Sequence, residues 1–221
     1  KYYQISNGKF DITVAPLSDL WDFKSEDASV PDEDDIAEAL SKVGADQLSL
    51  SGNTLTFASD DVMIDLGALV KGFAANQMKT YLTENGVTSG LLNLGGNVLT
   101  IGSRPDGSDW SIGIQKPFDD NDPIIDVVKV KDQTVVSSGI YERYFKQDGV
   151  IYHHILDPDT GYPIQNDLWG VSIICDSSLT GDALSTTCMT LGYEKANDLI
   201  QSLDQTEAEF VLDDCKLKKT F

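Results

Sequence analysis

Leu91-Leu-Asn-Leu-Gly-Gly-Asn-Val-Leu-Thr-Ile101 reads as two apolar strands, residues 91–94 and 98–101, broken by Gly95-Gly96. Short apolar runs on either side of adjacent glycines spell strand, turn, strand. Downstream the same kind of piece recurs at residues 110–114, 125–130, 134–137, 141–146, 150–155 and 169–175. No helical period interrupts this stretch. Strands gathered in a block, rather than alternating with helices, predict a mixed α+β fold with a β-rich middle.

Helices flank that block. Upstream, residues 62–66 form a compact apolar strand and residues 67–85 a helix ending at Gly86, with Leu69, Phe73, Met78, Tyr81 and Leu82 as its buried side. Residues 47–50 and 54–57 predict a hairpin across Ser51-Gly52-Asn53. Pro31 starts a helix whose first turn carries Asp32, Glu33, Asp34 and Asp35, favourable to the dipole. Its stripe is Ile36, Ala39, Leu40 and Val43, and Gly44 stops it. Residues 22–35 before it read as a solvated acidic loop, and residues 1–20 as turns and an extended segment. Downstream, residues 180–191 and 194–203 are predicted helices, the first closed by Gly192, and residues 209–212 a last strand. No repeat or linker divides the chain, so residues 1–221 are expected to form one domain.

Composition narrows the function. Sixteen basic residues against 36 acidic ones give a formal net charge of −20 and a pI near 4.1. Nucleic acids and anionic membrane surfaces are disfavoured partners for such a chain. A phosphate-bearing substrate would need a cation or backbone N–H groups to receive it. Three cysteines without a Cys-x-x-Cys pair, and only two histidines, argue against a Cys/His zinc site. Cys175 and Cys188 lie in apolar runs and read as buried thiols.

Several segments carry chemistry. In Thr180-Gly-Asp-Ala-Leu-Ser-Thr186, Asp182 and Thr186 stand i, i+4 on one helical face, hard oxygens suited to Mg²⁺ or Ca²⁺ with waters or substrate phosphates completing the shell. Helix capping by Thr180 with a back-bonding Thr186 is the competing explanation. Asp65-Leu-Gly-Ala-Leu-Val-Lys-Gly72 is a strand-to-helix junction that offers free N–H groups and Lys71 to an anion; close packing at the glycines with an outward Lys71 explains the same letters. Asn93-Leu-Gly-Gly-Asn97 either approaches a ligand or is a plain turn. His153 and His154 lie within four residues of Asp157, and Pro158-Asp-Thr-Gly161 is a turn.

Taken in order, these blocks resemble the ApbE-like FAD:protein FMN transferases. The matching pieces are Gly8-Lys-Phe-Asp-Ile-Thr-Val-Ala-Pro-Leu17 with Leu20-Trp21, Asp65-Leu-Gly-Ala-Leu-Val-Lys-Gly-Phe-Ala74, Asn93-Leu-Gly-Gly-Asn97 and Trp110-Ser-Ile-Gly-Ile114. Ser138-Gly-Ile-Tyr-Glu-Arg143, His154-Ile-Leu-Asp-Pro-Asp-Thr-Gly161 and Asp182-Ala-Leu-Ser-Thr186 complete them. The resemblance implies a single ApbE-like domain of T-fold-related architecture over residues 1–221. Family members carry about a further third ahead of the Gly8 block, with a Met-Gly-Thr segment, so an N-terminally truncated domain is expected.

It further implies a Mg²⁺-dependent enzyme that binds FAD and transfers its FMN moiety to a Thr or Ser hydroxyl of an acceptor flavoprotein subunit, releasing AMP. By similarity Asp182 and Thr186 are side-chain ligands of Mg²⁺, with a backbone carbonyl near Ala68 as a third. Lys71, Gly95, Gly96, Asn97, Ser138 and Gly139 are expected beside the flavin or its phosphates. His154 and Asp157 belong to the polar face, His154 handling a proton, and Asp182 serves as ligand, base or both. The family also implies the bacterial cell envelope, outside the cytoplasmic membrane, with a lipid anchor outside this chain. Competing readings are an FAD-binding protein or FAD pyrophosphatase of the same fold that does not flavinylate protein, and a non-enzymatic envelope interaction domain.

Overall fold

A computed structural model describes residues 1–221. Helices α1 (Tyr2–Ile5), α2 (Ala15–Trp21) and α3 (Glu33–Leu40) come first, then the strands β1 (Leu48–Ser51) and β2 (Thr54–Phe57), then α4 (Gly67–Glu84). Eight strands follow with no helix among them: β3 (Gly90–Asn93), β4 (Asn97–Ile101), β5 (Trp110–Gln115), β6 (Ile124–Val130), β7 (Thr134–Gly139), β8 (Tyr144–Gln147), β9 (Val150–His153) and β10 (Leu168–Cys175). After them come α5 (Ser178–Leu191), α6 (Tyr193–Gln201), β11 (Glu207–Leu212) and β12 (Leu217–Lys219). The mixed α+β class with a β-rich middle is borne out.

Contacts divide the chain into two compact units, Lys1–Leu66 with Ile140–Asn166 and Gly67–Gly139 with Asp167–Phe221. Each unit is built from separated segments, so no shift in composition along the sequence could announce the division.

The second unit is a six-stranded antiparallel sheet in the order β12-β11-β10-β7-β4-β3. Alternation along β7 sends neighbouring side chains to opposite faces. Val135, with Ile174 of β10, packs against Ile112, Ile114, Val128 and Val130 of the β5–β6 hairpin. Thr134, Val136 and Ser138 meet α5 instead: Thr134 Oγ1 lies 3.2 Å from Ser178 Oγ, and Ser138 Oγ 2.8 Å from Ser185 Oγ. A Cβ on Gly181 would stand 2.8 Å from Val136 Cγ2. With nine of its fourteen residues buried, α5 is a core helix on all sides. Cys175 and Cys188 are buried thiols as expected, and burial pushes their pKa values up to about 11 and about 12.

Helix α4 forms where predicted, but its buried side is different. Gly72 and Ala75 face inward, while Phe73, Met78 and Tyr81 are exposed. The reason is the distance at which α4 meets α5: a Cβ on Gly72 would stand 2.3 Å from the Ser178 carbonyl oxygen. Backbones that close admit only the smallest residues, and a search for large apolar side chains picks the wrong stripe.

The first unit centres on Leu17, Trp21, Ile36, Ala39 and Leu156, with Phe23, Phe145, Tyr152 and Tyr162 packed around them. Trp21 donates its indole N–H to the Gly161 carbonyl at 2.8 Å and lies 5.5 Å from the Phe23 ring, nearly parallel. Residues 1–20, expected as turns and extended chain, are mostly helical. Asp11 accepts the Thr13 N–H at 2.8 Å, opening a 3₁₀ turn, and Pro16 sits in the first turn of α2, where its missing N–H removes no bond. The strand expected at 62–66 does not form; Val62 is buried and the Asp65 N–H reaches the Ile12 carbonyl at 2.7 Å outside any ladder. Helix α3 starts at Glu33, two residues after the predicted Pro31 and with Asp32 as its N-cap, and it ends at Leu40, short of Gly44. The β1–β2 hairpin pairs Leu48 with Phe57 and Leu50 with Leu55, as the sequence implies.

The α4–α5 contact gives a direct expectation. An exposed helical glycine replaced by alanine gains about 1 kcal/mol. Gly72→Ala should instead lose about 2 kcal/mol, because the new methyl has to force the facing backbones apart. Urea unfolding of the variant checks the sign.

Candidate functional site

Asp182, the fifth residue of α5, is 4% exposed. Its Oδ2 accepts the Gly72 N–H at 2.7 Å. Helix geometry addresses that N–H to the carbonyl four residues back, which is Ala68. The carboxylate therefore meets α4 where the Ala68 carbonyl is aimed. Thr186 follows one turn later on the same face of α5. Thr187 and Thr190 spend their hydroxyls on the Ala183 and Thr187 carbonyls, at 2.7 and 2.8 Å; Thr186 makes no such bond. The back-bonded alternative for Thr186 is thus not what the helix does.

Helix geometry thus lines up a carboxylate, an unspent hydroxyl and a carbonyl, all hard oxygens. No group of three His, Cys, Asp or Glu side chains exists that could hold a metal by itself. A cation here would complete its shell with water or substrate oxygens. That donor set fits Mg²⁺, which keeps some of its shell open.

The Asn93–Asn97 turn is fastened from several sides. Gly95 and Gly96 both have positive φ, 67° and 74°. The Asn93 side chain accepts the Gly95 N–H at 3.0 Å, and Ser137 donates its N–H to the Gly96 carbonyl at 2.7 Å. Lys71 reaches across from α4 and gives its ammonium to the Gly95 carbonyl at 2.7 Å. So Lys71 neither points away from the turn nor stands idle; it holds the turn. A Cβ on Gly95 would meet nothing, which leaves this backbone bare on its outer side.

Asn97 is turned inward. It is fully buried, and its Oδ1 takes the Ser178 hydroxyl at 2.6 Å while its Nδ2 has no partner. Ser138, at the end of β7 before the buried Gly139, bonds Ser185, whose hydroxyl also donates to the Asp182 carbonyl at 3.0 Å. Ser185 is the contributor the sequence reading missed, while Gly72, read there only as a close-packing glycine, also proves to be the donor to Asp182. A glycine inside a helix and a serine three residues after Asp182 were the available signals.

His154 and Asp157 belong to the other unit. The Arg143 carbonyl accepts the His154 backbone N–H at 3.1 Å and lies 3.3 Å from its Nδ1. A carbonyl can only accept, so that bond puts a proton on Nδ1 of His154. A cavity of about 390 Å³ opens beside it, walled by Phe23, Asp19, Lys24, Asp65 and Arg143. Asp157 is spent on the turn that follows. Lys9 binds both its carboxylate oxygens at 2.6 and 2.7 Å, the Asp159 N–H binds Oδ1, and its carbonyl takes the Gly161 N–H. His153, the last residue of β9, is buried. Its Nε2 lies 2.9 Å from the Ile164 carbonyl, its Nδ1 takes the Ile155 N–H, and burial pushes its pKa down to about 4. One histidine is structural; the other borders a cavity.

Residues 1–210 match the model of the ApbE family. A protein of Klebsiella pneumoniae (strain 342) named FAD:protein FMN transferase is 38% identical over 209 residues, covering 94% of this chain and 64% of the relative. One of the same name from Treponema pallidum (strain Nichols) is 36% identical over 228 residues, covering 96% and 63%. This chain therefore spans less than two thirds of the length of either. Among solved structures, the ApbE protein of Thermotoga maritima superimposes with a TM-score of 0.87 at 32% identity, over 99% of this chain and 72% of that one. The flavin transferase ApbE from Vibrio cholerae gives 0.86 at 29%, over 99% and 70%.

Two expectations follow from the geometry. Because His153 is buried neutral, its contribution to stability is complete above pH 6.5 and is lost as the pH falls toward 4, by about 3 kcal/mol in all. His153→Gln should flatten that acid limb in urea unfolding measured at pH 4.5 and 7. Lys71→Met should weaken the closed turn by about 1 kcal/mol, since the bond it removes is partly solvent-exposed. Amide exchange at Gly95 and Gly96 should then quicken about fivefold; unchanged protection would show that the ammonium does not hold the turn.

Proposed function

This chain belongs to the ApbE family, and on that footing we propose that it works in Mg²⁺-dependent transfer of the FMN moiety of FAD to a Thr or Ser hydroxyl of an acceptor flavoprotein, with release of AMP. One observation supports this reading above the others: the buried Asp182 carboxylate, oriented by the Gly72 N–H, shares its surroundings with the Ala68 carbonyl and the free Thr186 hydroxyl. These three would hold Mg²⁺. When bound, the ion supplies positive charge to the pyrophosphate oxygens of FAD, lowering the barrier to P–O cleavage.

The remaining roles fall to the chain itself. Gly72 fixes one oxygen of Asp182 and so aims the other. The bare backbone of the Lys71-held Gly95–Gly96 turn lies against the flavin nucleotide, where side chains would obstruct it. The acceptor hydroxyl attacks the phosphorus of the FMN half; the bond to the AMP oxygen breaks and AMP leaves with the electron pair. By similarity His154 is the residue proposed to handle the hydroxyl proton, its ring bonded to the Arg143 carbonyl. Positioning carries most of the rate, as it does in phosphoryl transfer generally. The reading includes a location in the bacterial cell envelope, outside the cytoplasmic membrane, with any anchor lying beyond these residues; no helix here is long and apolar enough to cross a membrane.

Intact-mass spectrometry of an acceptor protein incubated with this chain, FAD and Mg²⁺ tests the proposal. The acceptor should gain one phosphoester-linked FMN and an equal amount of AMP should appear. EDTA should abolish both. Asp182→Asn, which keeps an oxygen for Gly72, should lose metal dependence together with activity, and His154→Gln should lower kcat about 10²-fold or more. AMP and FMN without a labelled acceptor would identify a pyrophosphatase instead.

A further inference from the structure

On the sheet face that the β5–β6 hairpin covers, Glu209 of β11 is fully buried. The register sets it between Lys219 of β12 and Ser172 of β10, and Ser172 bonds Ser137 of β7 through their hydroxyls at 2.7 Å. Asp126 of β6 reaches the same point from the hairpin. The Lys219 ammonium donates to Asp126 Oδ2 and stands 2.8 Å from Glu209 Oε1. The charged groups meeting Glu209 are therefore Asp126 from the hairpin and Lys219 from the edge strand. Strands β10 and β7 bring only hydroxyls, and Glu207, farther along β11, is exposed. Two carboxylates share one ammonium, and neither Glu209 oxygen receives a well-directed hydrogen bond.

We propose that Glu209, Asp126 and Lys219 form a proton-sensitive latch that fastens the β5–β6 hairpin to the β11–β12 edge of the sheet. With one proton on the carboxylate pair, Glu209 donates it to Asp126, Lys219 balances the remaining charge, and the cluster is neutral. Without it the closed latch keeps the buried Glu209 carboxylate ionised and a net charge of −1 on the cluster, in a chain already at −20, and opening relieves that cost. Burial pushes the Glu209 pKa up to about 7; Lys219 pulls against this and Asp126 adds to it. The sign follows from linkage. The closed form holds the proton more tightly than the open one, so closure weakens as pH rises from about 5 and levels off above about 7.

Hydrogen exchange on the whole chain reads this directly. After correction for intrinsic rates, protection of β6 and β12 amides should fall about 10- to 100-fold between pH 5 and 7 and then stay level. In Glu209→Gln it should be flat. Two further variants shift the balance in opposite directions and keep the test sharp should Glu209→Gln fold poorly. Asp126→Asn removes the like charge and should bring the levelling to lower pH; Lys219→Met removes the counter-charge and should move it higher. A flat wild-type profile, a decline that survives in Glu209→Gln, or both charge variants moving the same way would overturn the latch.

Discussion

The contact between α4 and α5 at Gly72 is the constraint on which the site unit depends. Without a side chain there, the α4 backbone comes so near the Ser178 carbonyl that an added methyl would overlap it. The same closeness lets the Gly72 N–H reach Asp182. A buried carboxylate without a donor is costly, and one charge-assisted bond of this kind contributes about 1.5–3 kcal/mol. One glycine thus sets the helix separation and solves the carboxylate's hydrogen bonding together. The sheet presses from the other side with equal economy, through Gly181 against Val136 and Ser185 against Ser138. Helix α5 has no solvent face to spare, and its buried polar side chains are held by neighbours instead of water.

That arrangement explains why some of the fold was legible in the sequence and some was not. Strands announce themselves through local apolar runs between turn residues, so the β-rich middle and the β1–β2 hairpin could be read from short stretches. The ends of α4 and α5 carry glycines at 86 and 192 and could be read likewise. The inward face of α4 is a property of the distance to another helix, which no local period encodes; Gly72 and Ala75 look like gaps in a stripe until α5 is in place. Pro16 misled in the opposite direction, since a proline in a first turn and a proline that breaks a helix are the same letter. The three-residue strand β12 has Leu217 as its one apolar residue and exists only because β11 offers it an edge.

At the site, Asp182 and Thr186 were legible because i, i+4 spacing is itself geometry. The histidine pair was not separable by composition. Strand β9 ends on His153, which is buried, and His154 lies in the bend that follows, at the cavity. Lys71 shows a further limit: its position in a conspicuous motif suggests charge for a phosphate, while the structure gives its ammonium to the Gly95 carbonyl. With that lysine engaged, an anionic substrate on this unit would lean on backbone donors and on a cation held by oxygen ligands. The large negative charge of the chain presses the same way.

Asp182 and Glu209 make the general point, since both are carboxylates buried in the same unit and their surroundings fit them for opposite tasks. Asp182 is met by a backbone N–H, a donor that orients it by engaging one of its two oxygens. Glu209 meets no well-directed donor and has Asp126 beside it, and its affinity for a proton rises into the neutral range. A residue name in a sequence carries neither outcome. What distinguishes them is whether the opposing element arrives with an N–H, as α4 does at Gly72, or with another carboxylate, as β6 does at Asp126. The choice is made by packing between elements far apart in the chain, and it is there that the chemistry of an acidic protein of this kind is decided.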